Sequence, residues 1–151
     1  MQRAFIVIAA LTALFLLPRA IQRELTVAQS HESLIEKRVY AYREWQSVGV
    51  WVAEGERVHM DAGGEWLYTP GEIHGPQGHS RYSAPSFYPL PGVAGGALIG
   101  RIGEEGRVFL VGDGTTVYAD GPGLLYLRID DDILSDNDGF VVVRVAVEGV
   151  E

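Results

Sequence analysis

The chain opens on a hydrophobic block and then changes its pattern twice. Ala4 to Leu17, AFIVIAALTALFLL, is a run of fourteen residues in which only Thr12 is weakly polar, with Arg3 before it and Pro18-Arg19 after it. It is apolar all round, unlike a surface helix, which shows one apolar face. A basic start followed by an apolar stretch is the form of a signal sequence. A spanning helix needs about 20 apolar residues; continuing through Ala20-Ile21 approaches that length and leaves Arg19 to snorkel at the interface. Residues 1–21 are therefore expected to be a signal anchor or transmembrane helix. The alternative is a signal cut near Val27-Ala28, which would give a secreted product. Either way the remainder is expected outside the cytoplasm, in the periplasm or at the cell surface, with the anchor seated in the inner membrane.

Residues 22–38 are polar and lack Gly and Pro. Ile21, Leu25, Ala28, Ile35 and Val39 recur at steps of four, three, seven and four, which is one helical face. The spacing predicts a juxtamembrane helix or stalk, a segment that could also dock other subunits of a membrane complex.

From Val39 the period shortens to two. Val48-Gly-Val-Trp-Val52 is followed by Arg57-Val-His-Met-Asp-Ala62, which alternates strictly and so reads as a half-buried strand. Gly63-Gly64 is expected to turn the chain into Trp66-Leu67-Tyr68. Further strands are expected at Ala97–Ile102, Arg107–Val111, Thr116–Ala119, Leu124–Ile129 and Val141–Val147, separated by Gly103, Gly106, Gly112-Asp-Gly114 and Gly121-Pro-Gly123. Eight or so short strands at this spacing predict an all-β domain over residues 39–151, a small β-sandwich or jelly roll. Thr69 to Gly96 breaks the pattern. It has no period, holds Pro70, Pro76, Pro85, Pro89 and Pro91, and carries Tyr82, Phe87 and Tyr88. A loop of that length inside a small domain is commonly functional.

Composition sharpens this outline at three points. Apolar residues make up 47% of the chain, which supplies a core and excludes global disorder. There is no cysteine, so disulfides, Cys-ligated zinc and thiol chemistry are all excluded. The formal charge is -8, with eleven acids from Glu104 onward against Arg107, Arg128 and Arg144. Such a surface repels phosphate backbones and argues against nucleic acid as a partner. It suits a divalent cation.

The acids concentrate in Asp130-Asp-Asp-Ile-Leu-Ser-Asp-Asn-Asp-Gly139, five Asp and one Asn between two strong strands. Calcium takes six to eight oxygen ligands from carboxylates, amides and carbonyls, and oxygen donors without Cys or His select a hard cation. The segment is no EF-hand, because Leu134 stands at the first ligand position and the closing glutamate is missing. Composition leaves two readings level here, a calcium loop and an acidic solvated turn.

Four motifs in order carry a resemblance. Gly55 opens a strand; Gly64 follows the alternating run; Tyr68 leads to Gly75-Pro-Gln-Gly78; and Gly96-Ala-Leu98 with Ile102-Gly103 precedes a loop ending in Asp136-Asn137-x-Gly139. Over about Val48 to Val147 the chain resembles the LecA-type galactophilic bacterial lectins, which are calcium-dependent β-sandwiches of galactose-binding type. The resemblance implies calcium as cofactor, with side-chain ligands Asp131, Asp136 and Asn137 and backbone carbonyls from Tyr68 and about Ile133. Asp130 is the alternative to Asp131, because this loop is two residues shorter than the family's. It also implies carbohydrate as partner, contacted by Tyr82, Gln77 and His79. Tyr82 stands where the family has a sugar-binding His, and no Gln follows before Pro91. An aromatic at that place can stack on a pyranose face, whereas galactose selectivity is not implied.

Other candidates carry less. His74 and His79 flank the Gly-Pro-Gln-Gly string but lack a third ligand close in sequence, His59 is expected to face solvent, and Trp45, Trp51 and Trp66 are expected to pack the sheets. No Gly-x-Ser-x-Gly, Walker, His-Glu-x-x-His or Cys-nucleophile motif is present, so no enzyme activity is expected. The sequence thus predicts a tethered, calcium-binding, lectin-like module; the alternative is a non-catalytic accessory subunit of a membrane complex, in which calcium only stiffens the loop.

Overall fold

A computed structural model of the chain describes residues 34–149. The expected N-terminal helix and the stalk up to residue 33 lie outside them. Among the described residues no helix is long and apolar enough to cross a membrane.

Among the described residues nine strands form two antiparallel sheets. In chain order they are β1 (Ile35–Tyr40), β2 (Gln46–Val52), β3 (Arg57–Thr69), β4 (Glu72–His74), β5 (Leu98–Ile102), β6 (Phe109–Leu110), β7 (Gly114–Tyr118), β8 (Gly123–Ile129) and β9 (Asp138–Glu148). One sheet runs β1-β9-β3-β4, and β7 pairs with the first half of β3; the other runs β2-β8-β5-β6. Period-two alternation explains the core. Val48, Val50 and Val52 of β2 and Leu125, Leu127 and Ile129 of β8 are buried from one sheet, facing Val58, Met60, Trp66, Val141, Val143 and Val145 from the other.

The glycine pair in β3 behaves differently from the expectation. Gly63 and Gly64 do not reverse the chain: β3 continues through them and pairs with β9 without interruption from Arg57↔Glu148 to Leu67↔Asp138. The reason is parity. Val58, Met60, Ala62, Trp66 and Tyr68 all occupy even positions and meet the core, so one face stays inward on both sides of the pair, which a turn would not preserve.

The boundary expected between residues 38 and 39 is also corrected, because it falls inside β1. Ile35–Tyr40 is a strand, paired with β9 from Ile35↔Val145 to Tyr40↔Phe140. Val39 is fully buried, and Ile35 packs against the core. The sandwich therefore includes residues assigned above to the end of the stalk. Trp51 is a further correction. It is 65% exposed on the outer face of β2, whereas Trp66 is in the core and Trp45 lies half-buried under the Arg101 guanidinium, 4.4 Å from the ring centroid.

Two features place the site. The acidic loop joins β8 to β9 at one end of the sandwich. The long segment after β3 folds back towards it by backbone bonds: His79 N–H donates to Gly95 O at 2.9 Å, Gly95 N–H to Tyr82 O at 2.9 Å, and Gly96 N–H to Asp130 O at 2.9 Å.

Candidate functional site

The loop acids are buried without a matching set of donors. Asp130 is fully buried; its Oδ1 accepts from Leu90 N–H at 2.9 Å, and its Oδ2 has no partner. Asp131 is 4% exposed and accepts from Ile133 N–H at 3.3 Å and from Asn137 Nδ2 at 2.9 Å. Asn137 Nδ2 donates also to Ala41 O at 3.2 Å, which leaves Oδ1 as a buried acceptor with nothing to accept. Asp136 reaches Thr69 Oγ1 through Oδ2 only at 3.5 Å, the far limit of a hydrogen bond, and its Oδ1 is buried and unpaired.

Among the described residues four buried side-chain polar atoms lack a partner, and three of them are these loop oxygens. Buried polar atoms are normally satisfied, so a cluster of orphaned acceptors calls for a donor or a cation. The nearby Arg128 does not serve. Its guanidinium donates to Ile129 O at 3.0 Å and Asp131 O at 2.7 Å and pairs with Glu44, so no loop carboxylate receives it. Burial accordingly pushes the Asp130 carboxyl up to about 6, with Leu90 N–H and the Arg128 charge pulling the other way. Burial raises Asp131 as well, against the hydrogen bonds from Asn137 and Ile133 N–H. An all-oxygen set of carboxylates and one amide fits a hard divalent cation such as calcium.

Beside this loop is a cavity of about 410 Å³, lined by Tyr68, Thr69, Glu72, His79, Arg81, Tyr82, Tyr88, Asp131, Asp132, Ile133 and Asp136. The volume is in the range of sites for small organic ligands. One wall is acidic and the other aromatic. Tyr68 and Tyr88 share a hydrogen bond of 2.7 Å between their hydroxyls, and the Tyr82 ring stands 6.5 Å from each of theirs. Burial pushes the Tyr68 phenol up to about 12 and raises that of Tyr88 further, so both stay protonated at neutral pH. Tyr82 is 44% exposed, which leaves ring surface for a ligand.

Glycine permits the aromatic wall. Gly96 has φ +76°, and a Cβ there would come within 2.7 Å of the Tyr68 ring. The ring therefore rests on bare backbone, and only glycine adopts that φ without strain. Trp66 Nε1 donates to Gly96 O at 3.0 Å from the core side and fixes the same peptide.

The fold thus gathers Tyr68, His79, Tyr82, Asp131, Ile133 and Asp136 around one cavity, with Asn137 buried directly behind Asp131. Asp130 lies beneath, its Oδ1 engaged by Leu90 N–H. Gln77 is exposed and is not part of the cavity. Sequence reasoning missed Thr69, Glu72, Arg81, Tyr88 and Asp132 as wall residues. Tyr88 had a signal, as an aromatic in the long loop, and Asp132 belonged to the acidic run; Thr69 and Arg81 had none. His59 is on the outward face of β3, with Nδ1 2.7 Å from Thr116 Oγ1, as expected.

No protein-family model matches the sequence, and no curated protein does. Among solved structures the chain is similar to the N-terminal domain of EclA, described as a PllA-like lectin, with a TM-score of 0.62 and 26% sequence identity over 78% of this chain and 99% of that one. The chain therefore has a lectin-type fold.

Proposed function

We propose that this chain is a calcium-dependent carbohydrate-binding module, held outside the cytoplasm by its N-terminal segment. The observation that carries this reading is the set of three orphaned loop oxygens on Asp130, Asp136 and Asn137, in a loop whose Asp136 lines an open, tyrosine-walled cavity. The similarity to a lectin domain supports a sugar as the ligand class. Carbohydrates present vicinal hydroxyls and an apolar ring face, and the two walls match these in turn.

Asp131, Asp136 and Asn137 would hold the ion, together with the carbonyls of Tyr68 and Ile133. Asp131 is favoured over Asp130 as first ligand because it borders the cavity, whereas Asp130 lies beneath it. Bound calcium would supply positive charge against the loop carboxylates and coordination positions for hydroxyl oxygens. The protein's own part is to orient these ligands. Asn137 Nδ2, fixed by Ala41 O and Asp131, turns its Oδ1 away from both, and the Tyr68–Tyr88 pair shapes the opposite wall. The exposed Tyr82 ring offers the stacking surface.

The test is glycan-array binding by the chain with calcium, without it, and as Tyr82→Ala. Calcium-dependent glycan binding that falls about tenfold in the variant supports the reading. Calcium uptake with no glycan bound would leave the structural-subunit alternative in its place. The open cavity beside the loop favours the binding module over that alternative. The membrane tether rests on residues 1–21 and is tested by fractionation: carbonate-resistant membrane association supports an anchor, and release into the medium a cleaved signal.

A further inference from the structure

We propose that Glu72, His74 and His79 form a second metal site, selective for a borderline transition dication such as zinc and distinct from the oxygen-lined acidic loop. His74 and His79 do have a third ligand close in sequence, two residues before His74. Glu72 and His74 occupy alternate positions on β4 and so project from one face, while Ile73 between them is 62% exposed. The Gly75–Gly78 turn then brings His79 back over that face. It is held tightly: Gly78 N–H donates to Gly75 O at 3.0 Å and Leu98 N–H to Pro76 O at 2.7 Å, and Gly78 has φ +80° with no room for a Cβ against Ala97.

The three ligand atoms are already assembled. His74 Nε2 lies 2.9 Å from Glu72 Oε2, His79 Nε2 lies 3.5 Å from the same oxygen, and all three are within 4.8 Å of one another. Metal–ligand bonds of about 2.0–2.1 Å in a tetrahedron give ligand edges of about 3.3 Å. Small movements suffice to close the set on an ion. The imidazole rings are 4.6 Å apart and about four-fifths buried, whereas Glu72 remains half exposed. Two imidazoles and a carboxylate are the donor set of zinc with one position left open, and are too soft and too few for calcium.

One contact must change on loading. Arg81 N–H donates to His79 Nδ1 at 3.0 Å, which places the neutral ring's proton on Nε2, facing Glu72. An ion at Nε2 requires the proton on Nδ1 instead, so the Arg81 N–H is released. Arg81 is exposed, and water replaces the bond at little cost. Loading would staple β4 to the far side of the Gly-Pro-Gln-Gly turn in a chain without cysteine. Because Glu72 and His79 also border the cavity, it would set a second positive charge opposite the acidic loop.

The test is calorimetric titration of zinc chloride into the full chain in saturating calcium, beside His74→Gln, His79→Gln and His59→Gln. One zinc per chain is expected, weakened at least about tenfold by either His74→Gln or His79→Gln and unchanged in His59→Gln. No uptake, uptake indifferent to both His74→Gln and His79→Gln, or equal loss in His59→Gln would each overturn the proposal. Should a histidine variant fail to fold, ring resonances of the unaltered chain decide. Zinc should shift those of His74 and His79 and leave His59 in place, and stationary His74 and His79 signals would overturn it.

Discussion

Asn137 and Asp131 are joined by a 2.9 Å hydrogen bond in which the amide donates and the carboxylate accepts, and this bond fixes which atom of Asn137 is left over. With both Nδ2 protons engaged, by Asp131 and by Ala41 O, the buried Oδ1 can only meet a donor or a cation. The pair therefore works as an oriented acceptor, with its direction fixed before any ion arrives. Preorganisation of this kind lowers the ordering cost of binding.

Asp136→Ala should consequently have almost no effect on melting in calcium-free buffer and a large one in calcium. At calcium one hundred times the dissociation constant the unaltered chain gains about 2.7 kcal/mol by mass action, and the variant should lose most of that gain. Thermal melting with and without added calcium checks this. Equal losses in both buffers would remove the ion from the explanation.

Stability against pH should run in opposite directions with and without the ion. In the metal-free chain burial pushes Asp130 up to about 6, above its ordinary value, so the folded state binds that proton more tightly than the unfolded chain does. Stability should fall as pH rises through the window from about 4 to 6. In saturating calcium the loop must be ionised to hold the ion, and stability should rise over the same window. Urea titrations at half-unit pH steps in the two buffers would show the crossing slopes.

Gly96→Ala should cost roughly 2–4 kcal/mol, by forcing a side chain into a left-handed backbone and against the Tyr68 ring. It should also weaken ligand binding, because Tyr68 must move to make room. Gly71→Ala is the control for backbone strain alone, since it has φ +84° with open space around it. It should cost about 1 kcal/mol and leave binding intact.

Truncation should locate the domain edge. A fragment of residues 34–151 should melt cooperatively, whereas one of residues 39–151 should melt lower or aggregate. Removing most of β1 uncovers the edge of β9 and the pocket under Ile35. Size-exclusion profiles and melting curves of the two fragments distinguish these outcomes.

The misreading at β1 has a simple origin. Ile35 and Val39 are four apart, a step that satisfies a helical face and a strand face alike, and Ile35 followed helical-looking spacing from Ile21 onward. The other strands were legible where alternation ran for five residues or more, as in β2, β3 and β9; β4, at three residues, carries no period to read. The outward Trp51 could have been deduced from Val48, Val50 and Val52, whose parity leaves it no inward place. At the site the acidic run and the aromatic loop were both visible, and the resemblance connected Tyr68, Tyr82 and His79 with Asp131 and Asp136. Their convergence on one cavity depends on backbone bonds such as Gly95 N–H to Tyr82 O, and main-chain pairing inside an irregular loop leaves no pattern in side chains. Glu72 was overlooked because its role depends on a turn that returns His79 above it.

The pairing of β1 with β9 has a mechanical consequence. Ile35 lies opposite Val145, at the end of the ladder remote from the acidic loop, while Tyr40 lies opposite Phe140 beside it. A load applied between something gripped in the cavity and the chain ahead of Ile35 would run lengthwise along β1. All six residue pairs would then be sheared together, instead of being peeled apart one after another from an end. A load across that line would instead open the same six pairs one at a time, starting from whichever end it reached first.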